Sequence, residues 1–221
     1  TLFKVRSPLL MEKLFLYLCM NSTEIFSATT AAKELDNISP NTIESYVDAL
    51  VKSNLIYMAY PIAVGSKSVL KGRPKIYIAD AAIRNAVDDV LSDERELGFL
   101  IETTVYKHLV SFYQGTGAQL GYYRKAKENQ KEVDAVIELP QQKILCEVKY
   151  KNNSHIPQTD GIVELCNDPK AGITDAFVIT KQLEDFGVTR HETSPKIYRI
   201  PAIAFLYLIG KEESDGMSGR L

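Results

Sequence analysis

From Lys131 to Lys151 the chain reads KEVDAVIELPQQKILCEVKYK, and apolar and polar positions alternate there with period two on either side of a turn. In the first arm Val133, Ala135, Ile137 and Leu139 alternate with Glu132, Asp134 and Glu138. In the second, Ile144, Cys146, Val148 and Tyr150 share one face, and Leu145, Glu147 and Lys149 the other. Period two is the signature of strands, so the stretch predicts a β-hairpin turning at Pro140, Gln141 and Gln142.

Elsewhere the period is helical. Pro8 opens a predicted helix with Leu9, Leu10, Leu14, Phe15, Leu18 and Cys19 at helical spacing as far as Asn21. Ser27 precedes a second, ATTAAKEL, and Ser39-Pro40 caps and starts a third, NTIESYVDALVKSN, striped by Ile43, Tyr46, Val47, Leu50 and Val51. Two strands follow, Leu55 to Ile62 and Pro74 to Ala79. Three helices and then a two-stranded ribbon is the order of a winged helix.

Asp80 caps a short helix, AAIRNAVDDVL, and Ser92 or Asp93 caps a longer one through Tyr113. QLGYYRKAK enters the hairpin as a strand. Beyond it come a helix at TDGIVELCN, strands at Asp175 to Lys181 and near Lys196 to Ile200, a final helix from Pro201, and a polar tail expected to fray. The expected fold class is α/β (α+β), a mixed sheet flanked by helices. It divides into a winged-helix domain over 1–85 and a second domain over 86–221.

Composition narrows the class. With 26 Lys and Arg against 28 Asp and Glu, the net charge of −2 gives no global attraction to nucleic acid or to an anionic membrane. No apolar run reaches the length of a membrane span, and nothing resembles a signal peptide. Cys19, Cys146 and Cys166 are odd in number and lie in or beside apolar runs, as buried thiols of a reducing cytoplasm do. The chain opens at Thr1 in mid-flow, which reads as the continuation of a longer polypeptide.

The chemistry concentrates on charge placed against apolar faces. Asp134 and the Glu147/Lys149 pair can meet across neighbouring strands. Converging carboxylates repel unless a proton or a cation lies between them, and hard oxygen ligands suit Mg2+ or Mn2+. A lysine two residues on could orient a metal-bound water, a nucleophile for a phosphodiester. On the long helix Glu102 falls about 20° from Leu109, at the edge of the apolar stripe, from where it could supply a further ligand. The plainer alternatives are a surface ion pair on the hairpin and a Glu102 whose stem packs while its head reaches water. His108 reads as a core histidine and His155 as a surface one.

Nucleic-acid contact has its own candidates. The third helix carries Glu44, Asp48 and Lys52, a face that would repel phosphates, whereas Lys67, Lys71, Arg73 and Lys75 cluster on the predicted wing. Arg124 and Lys125, beside Tyr122 and Tyr123, would suit a polyanion or an ordinary strand end.

With Glu102, Asp134, Glu147 and Lys149 in that order on helix, strand and strand, the second half resembles the PD-(D/E)XK nuclease superfamily. More closely, the whole chain resembles the C-terminal portion of bacterial and archaeal AAA+ type ATPases that end in a DUF4143 domain. The stretches that carry this are GRPKIYIADAAIRNA at Gly72 to Ala86, GFLIETTVYKHL at Gly98 to Leu109, EVDAVIE at Glu132 to Glu138 and CEVKY at Cys146 to Tyr150. Thr103 stands where family members commonly carry Asn. The GxxxxGK[ST] phosphate loop is missing from these 221 residues, so ATP would be bound only by the absent ATPase half.

The resemblance implies an effector or sensor end of a DNA-directed ATPase. Asp134, Glu147 and Glu102 would ligate Mg2+ or Mn2+, with Lys149 orienting water. Partners would be the ATPase domain of the same chain and DNA, without a membrane; self-association stays open. The alternative is a non-catalytic protein- or DNA-interaction module. Sugar or nucleotide hydrolysis by paired carboxylates is a third reading, one that leaves the lysine without a job.

Overall fold

The computed structural model describes residues 5–63, 72–87, 94–125 and 131–218. Its N-terminal part is built from α1 (Pro8–Met20), α2 (Ala28–Glu34) and α3 (Pro40–Lys52), followed by an antiparallel ribbon of β1 (Ile56–Pro61) and β2 (Lys75–Ile78). The starts of these helices are local in origin. Ser7 and Ser27 accept hydrogen bonds from the amides of Leu10 and Thr30, satisfying donors that a helix end leaves unpaired. Ser39 makes no such side-chain bond; Pro40 in the first turn of α3, with its fixed φ, sets that start instead.

Next come α4 (Ala81–Val87), α5 (Glu94–Tyr113), β3 (Gln119–Arg124), β4 (Glu132–Leu139) and β5 (Gln142–Lys149). The chain then forms α6 (Gly161–Cys166), capped by Asp160, and β6 (Asp175–Thr180), β7 (Gly187–Val188), β8 (Ile197–Pro201) and α7 (Ala202–Ser218). Gln142 belongs to β5 rather than to the hairpin turn. Pro201 ends β8, and α7 runs through most of the polar tail expected to fray.

The eight strands among the described residues join one mixed sheet in the order β2-β1-β3-β4-β5-β6-β8-β7, flanked by helices, so the α/β class read from the sequence holds. The N-terminal ribbon is continuous with the rest through a short parallel contact, Tyr60 with Gly121 and Pro61 with Tyr122, extended by the Ile62 amide donating to the Tyr122 carbonyl at 2.7 Å. Gly121 is required there. A Cβ on it would stand 2.0 Å from the Tyr60 carbonyl oxygen.

Three apolar clusters result among the described residues. One lies between α1, α2, α3 and the ribbon, around Leu14, Leu18, Ile43, Ile56 and Ile78. The second packs α5 and α7 on the sheet through Val105, Leu109, Ala202 and Phe205 against Tyr77, Ala135, Ile137 and Cys146. The third packs α6 on the opposite face, with Ile162 and Val163 against Val133, Val136 and Leu145. Cys19, Cys146 and Cys166 are all buried and free, as their apolar neighbourhoods predict. No helix among the described residues is long and apolar enough to cross a membrane.

Candidate functional site

Strict alternation fails at one place in the hairpin, and that place is Asp134. Pairing of β3 with β4 shifts register between Gly121 and Tyr123: Gly121 faces Val136 while Tyr123 faces Val133, so β4 carries one extra residue. Such a bulge switches the phase of the strand. Val133 therefore joins Val136 in the α6-side core, whereas Ala135 and Ile137 join the α5-side core, not the single face that the sequence pattern implies.

The four acidic and basic residues singled out from the sequence are divided between two ion clusters. In the first, Glu102 from α5 and Asp134 from β4 meet around a lysine that comes from β2. Lys75 Nζ lies 3.2 Å from Glu102 Oε1 and 3.5 Å from Asp134 Oδ1, and it also pairs with Glu132. Tyr77, two residues along β2 and on the same face, donates its hydroxyl to Glu102 Oε1 at 2.9 Å. In the second, Lys149 is held between Glu147 and Asp160, the cap of α6. Two backbone amides couple the clusters. The Asp134 N–H donates to Glu147 Oε2 at 3.4 Å, and the Val148 N–H donates to Asp134 Oδ2 at 2.8 Å.

Burial sets the electrostatics. Glu102 is pushed up to about 8 by burial, reinforced by the charge of Asp134 and opposed by Lys75 and Tyr77. Glu147 is raised well above the carboxylate range, again by burial first and Asp134 second. Burial alone would pull Lys75 down, but Glu102, Asp134 and Glu132 together outweigh it and raise its pKa. The same balance holds for Lys149, where burial is outweighed by Glu147 and Asp160. Charge is thus balanced internally, by the two ammonium groups of Lys75 and Lys149 set among the carboxylates.

A divalent ion does not fit this arrangement. Mg2+ needs oxygens at about 2.1 Å and keeps several waters. Here the oxygens of Glu102, Asp134 and Glu147 are turned onto lysines, a tyrosine hydroxyl and backbone amides. The gap bounded by Tyr77, Glu102, Tyr106, Asp134 and Cys146 has no room for a water molecule. Among the described residues, no three His, Cys, Asp or Glu side chains stand together in a way that would hold a metal.

Of the residues considered for nucleic acid, Lys75 is 4% exposed and committed to the first cluster rather than to a wing surface. Arg73 is exposed. Arg124 pairs with Glu132 at 3.9 Å, and Lys125 pairs with Glu164. Lys67 and Lys71 lie outside the described residues. An open cleft of about 1310 Å³ lies elsewhere, between α3, β1 and the end of α5, lined in part by Val51, Met58, Tyr60, Tyr113 and Leu120.

Sequence reasoning missed Lys75, Tyr77, Glu132 and Asp160 as members of the site. A signal for Lys75 was present: it heads KIYI, a four-residue strand in which every position is buried. Thr103, the departure from the family pattern, is buried at the same junction, 3.3 Å from Ser22 Oγ, which accepts the Ile78 amide.

Two family models match the chain in succession. Residues 97–202 match the family described as "Domain of unknown function (DUF4143)". A DUF4143 domain is therefore present. It contains Glu102, Glu132, Asp134, Glu147, Lys149 and Asp160, while Lys75 lies in residues 1–94, which match "Domain of unknown function (DUF8612)". No curated protein matches. Among solved structures the chain is similar to protein VC1899 from Vibrio cholerae, at 15% identity and a TM-score of 0.25 over 80% of this chain. The matched region spans 48% of that protein.

Proposed function

We propose that the chain is a non-catalytic protein-interaction module, the C-terminal portion of an ATPase, in which a winged helix and a nuclease-like DUF4143 domain are joined through a shared acidic site. One observation carries the reading: each carboxylate that could serve catalysis is already paired with a lysine of this chain, Glu102 and Asp134 with Lys75 and Glu147 with Lys149, and the gap beside Glu102 and Asp134 has no room for water. To act on a phosphodiester these carboxylates would first have to give up their lysines, and in-line attack needs a positioned water. Surface features point the same way. On α7 Ile203 and Tyr207, one turn apart, are 70% and 68% exposed, an apolar face of the kind that partners cover. The ATPase part of the same polypeptide is the partner that the reading assigns to it, with ATP handled there.

A DNA-binding assay titrated with salt, run with Mg2+ and with Mn2+, tests this. The expected result is no cleavage and no complex whose affinity falls as salt rises. Salt-sensitive binding, or cleavage lost in Asp134→Asn, would favour the Mg2+-dependent nuclease instead.

A further inference from the structure

We infer that Lys75 is this chain's own cation: its ammonium fills the place among Glu102, Glu132 and Asp134 that a divalent ion would need, and so converts an acidic site into a lock between the N-terminal ribbon and the DUF4143 domain. The geometry suits an ammonium and not a metal. Oxygens at 3.2 and 3.5 Å from Nζ are at ion-pair distance, more than an ångström beyond a Mg2+ contact. The ring of Tyr122 adds a further favourable contact, its centroid 5.7 Å from Nζ.

The lysine is held there by its backbone. Lys75 pairs with Ala59 of β1 on one side and forms a bridge with Ile25 on the other. Amides of Thr23 and Phe26 donate to the carbonyls of Ile76 and Pro74, fixing the residues on either side. All three carboxylates belong to the DUF4143 match and the lysine to the preceding one, so the ion cluster crosses the boundary between them. An uncompensated group of three partly buried carboxylates would be costly, which makes the lysine's presence a condition for the two parts to close on each other.

Lys75→Met, which keeps most of the aliphatic stem and removes the charge, tests the assignment. Mn2+ binding is read by calorimetry and by the metal's spin-resonance signal, neither of which a purely structural lysine would alter. The expected result is saturable Mn2+ binding in Lys75→Met at least an order of magnitude tighter than in the unmodified chain, with a rise in thermal midpoint, both abolished by adding Asp134→Asn. A folded Lys75→Met protein that binds Mn2+ no better than the unmodified chain would overturn the inference and leave the interaction-module reading standing. Tight binding by the unmodified chain would overturn both. Should Lys75→Met not fold unaided, refolding is compared with and without Mn2+: recovery only with the ion supports the inference, and failure in both refutes it.

Discussion

Gly121→Ala puts the junction between the two parts of the sheet under a defined load. The added Cβ would lie 2.0 Å from the Tyr60 carbonyl oxygen and 2.8 Å from Ile62 Cγ1. An ordinary carbon–oxygen contact is about 3.3 Å, so β1 or β3 must retreat by more than an ångström. That movement breaks the Tyr60–Gly121 and Pro61–Tyr122 rungs and the Ile62 to Tyr122 hydrogen bond. Overpacking costs about 1–3 kcal/mol and each lost hydrogen bond about 1 kcal/mol. Stiffening the unfolded chain returns only about 0.4–1 kcal/mol, so destabilisation wins by about 3 kcal/mol. For a chain of this length that lowers the thermal midpoint by about 6–12 °C. Circular dichroism melts of the two proteins measure it. A variant within about 2 °C of the parent would refute the claim that the ribbon and the DUF4143 sheet are closely joined at Gly121.

Three further outcomes follow from the ion clusters. Glu102 holds its proton up to about 8 when folded, against an ordinary 4.5. A raised acid pKa means that the folded chain binds the proton more tightly, so this group's stability is full below about 4.5 and is lost as pH rises towards about 8; Glu102→Gln should flatten that decline in a series of urea melts. Lys149→Met strands Glu147, 5% exposed, beside Asp134 and should cost about 3–5 kcal/mol by chemical denaturation, and a cost under about 1 kcal/mol would contradict the second cluster. Lys52→Ala removes an exposed pair with Asp48, both side chains about 60% accessible, and should change stability by no more than about 0.5 kcal/mol in the same assay.

Much of the fold is legible in local patterns, because caps, prolines and apolar periods act within a few residues. Pro8, Ser27 and Pro40 place helix starts, and the period-two runs on either side of the hairpin turn place β4 and β5. Asp134 and Glu102 share one ion cluster while Glu147 and Lys149 belong to another, and only backbone amides of the β4–β5 pairing link the two. What the pattern cannot convey is which charges are satisfied by distant partners. Lys75 is 27 residues from Glu102 and 59 from Asp134, and only the sheet order that sets the ribbon beside β3 brings them together. On sequence alone its basic neighbours made it a wing residue. The bulge at Asp134 is equally hidden, since it arises from the register with β3 and not from the hairpin's own alternation.

Lysines, not metal ions, neutralise the acidic site in the reading proposed above. Calorimetric titration of Mn2+ and of Mg2+ into the unmodified chain and into Asp134→Asn addresses it most directly. The expected result is no saturable heat from either ion in either protein. Saturable binding in the unmodified chain that disappears in Asp134→Asn would contradict it, and would return Glu102, Asp134 and Glu147 to the role of metal ligands.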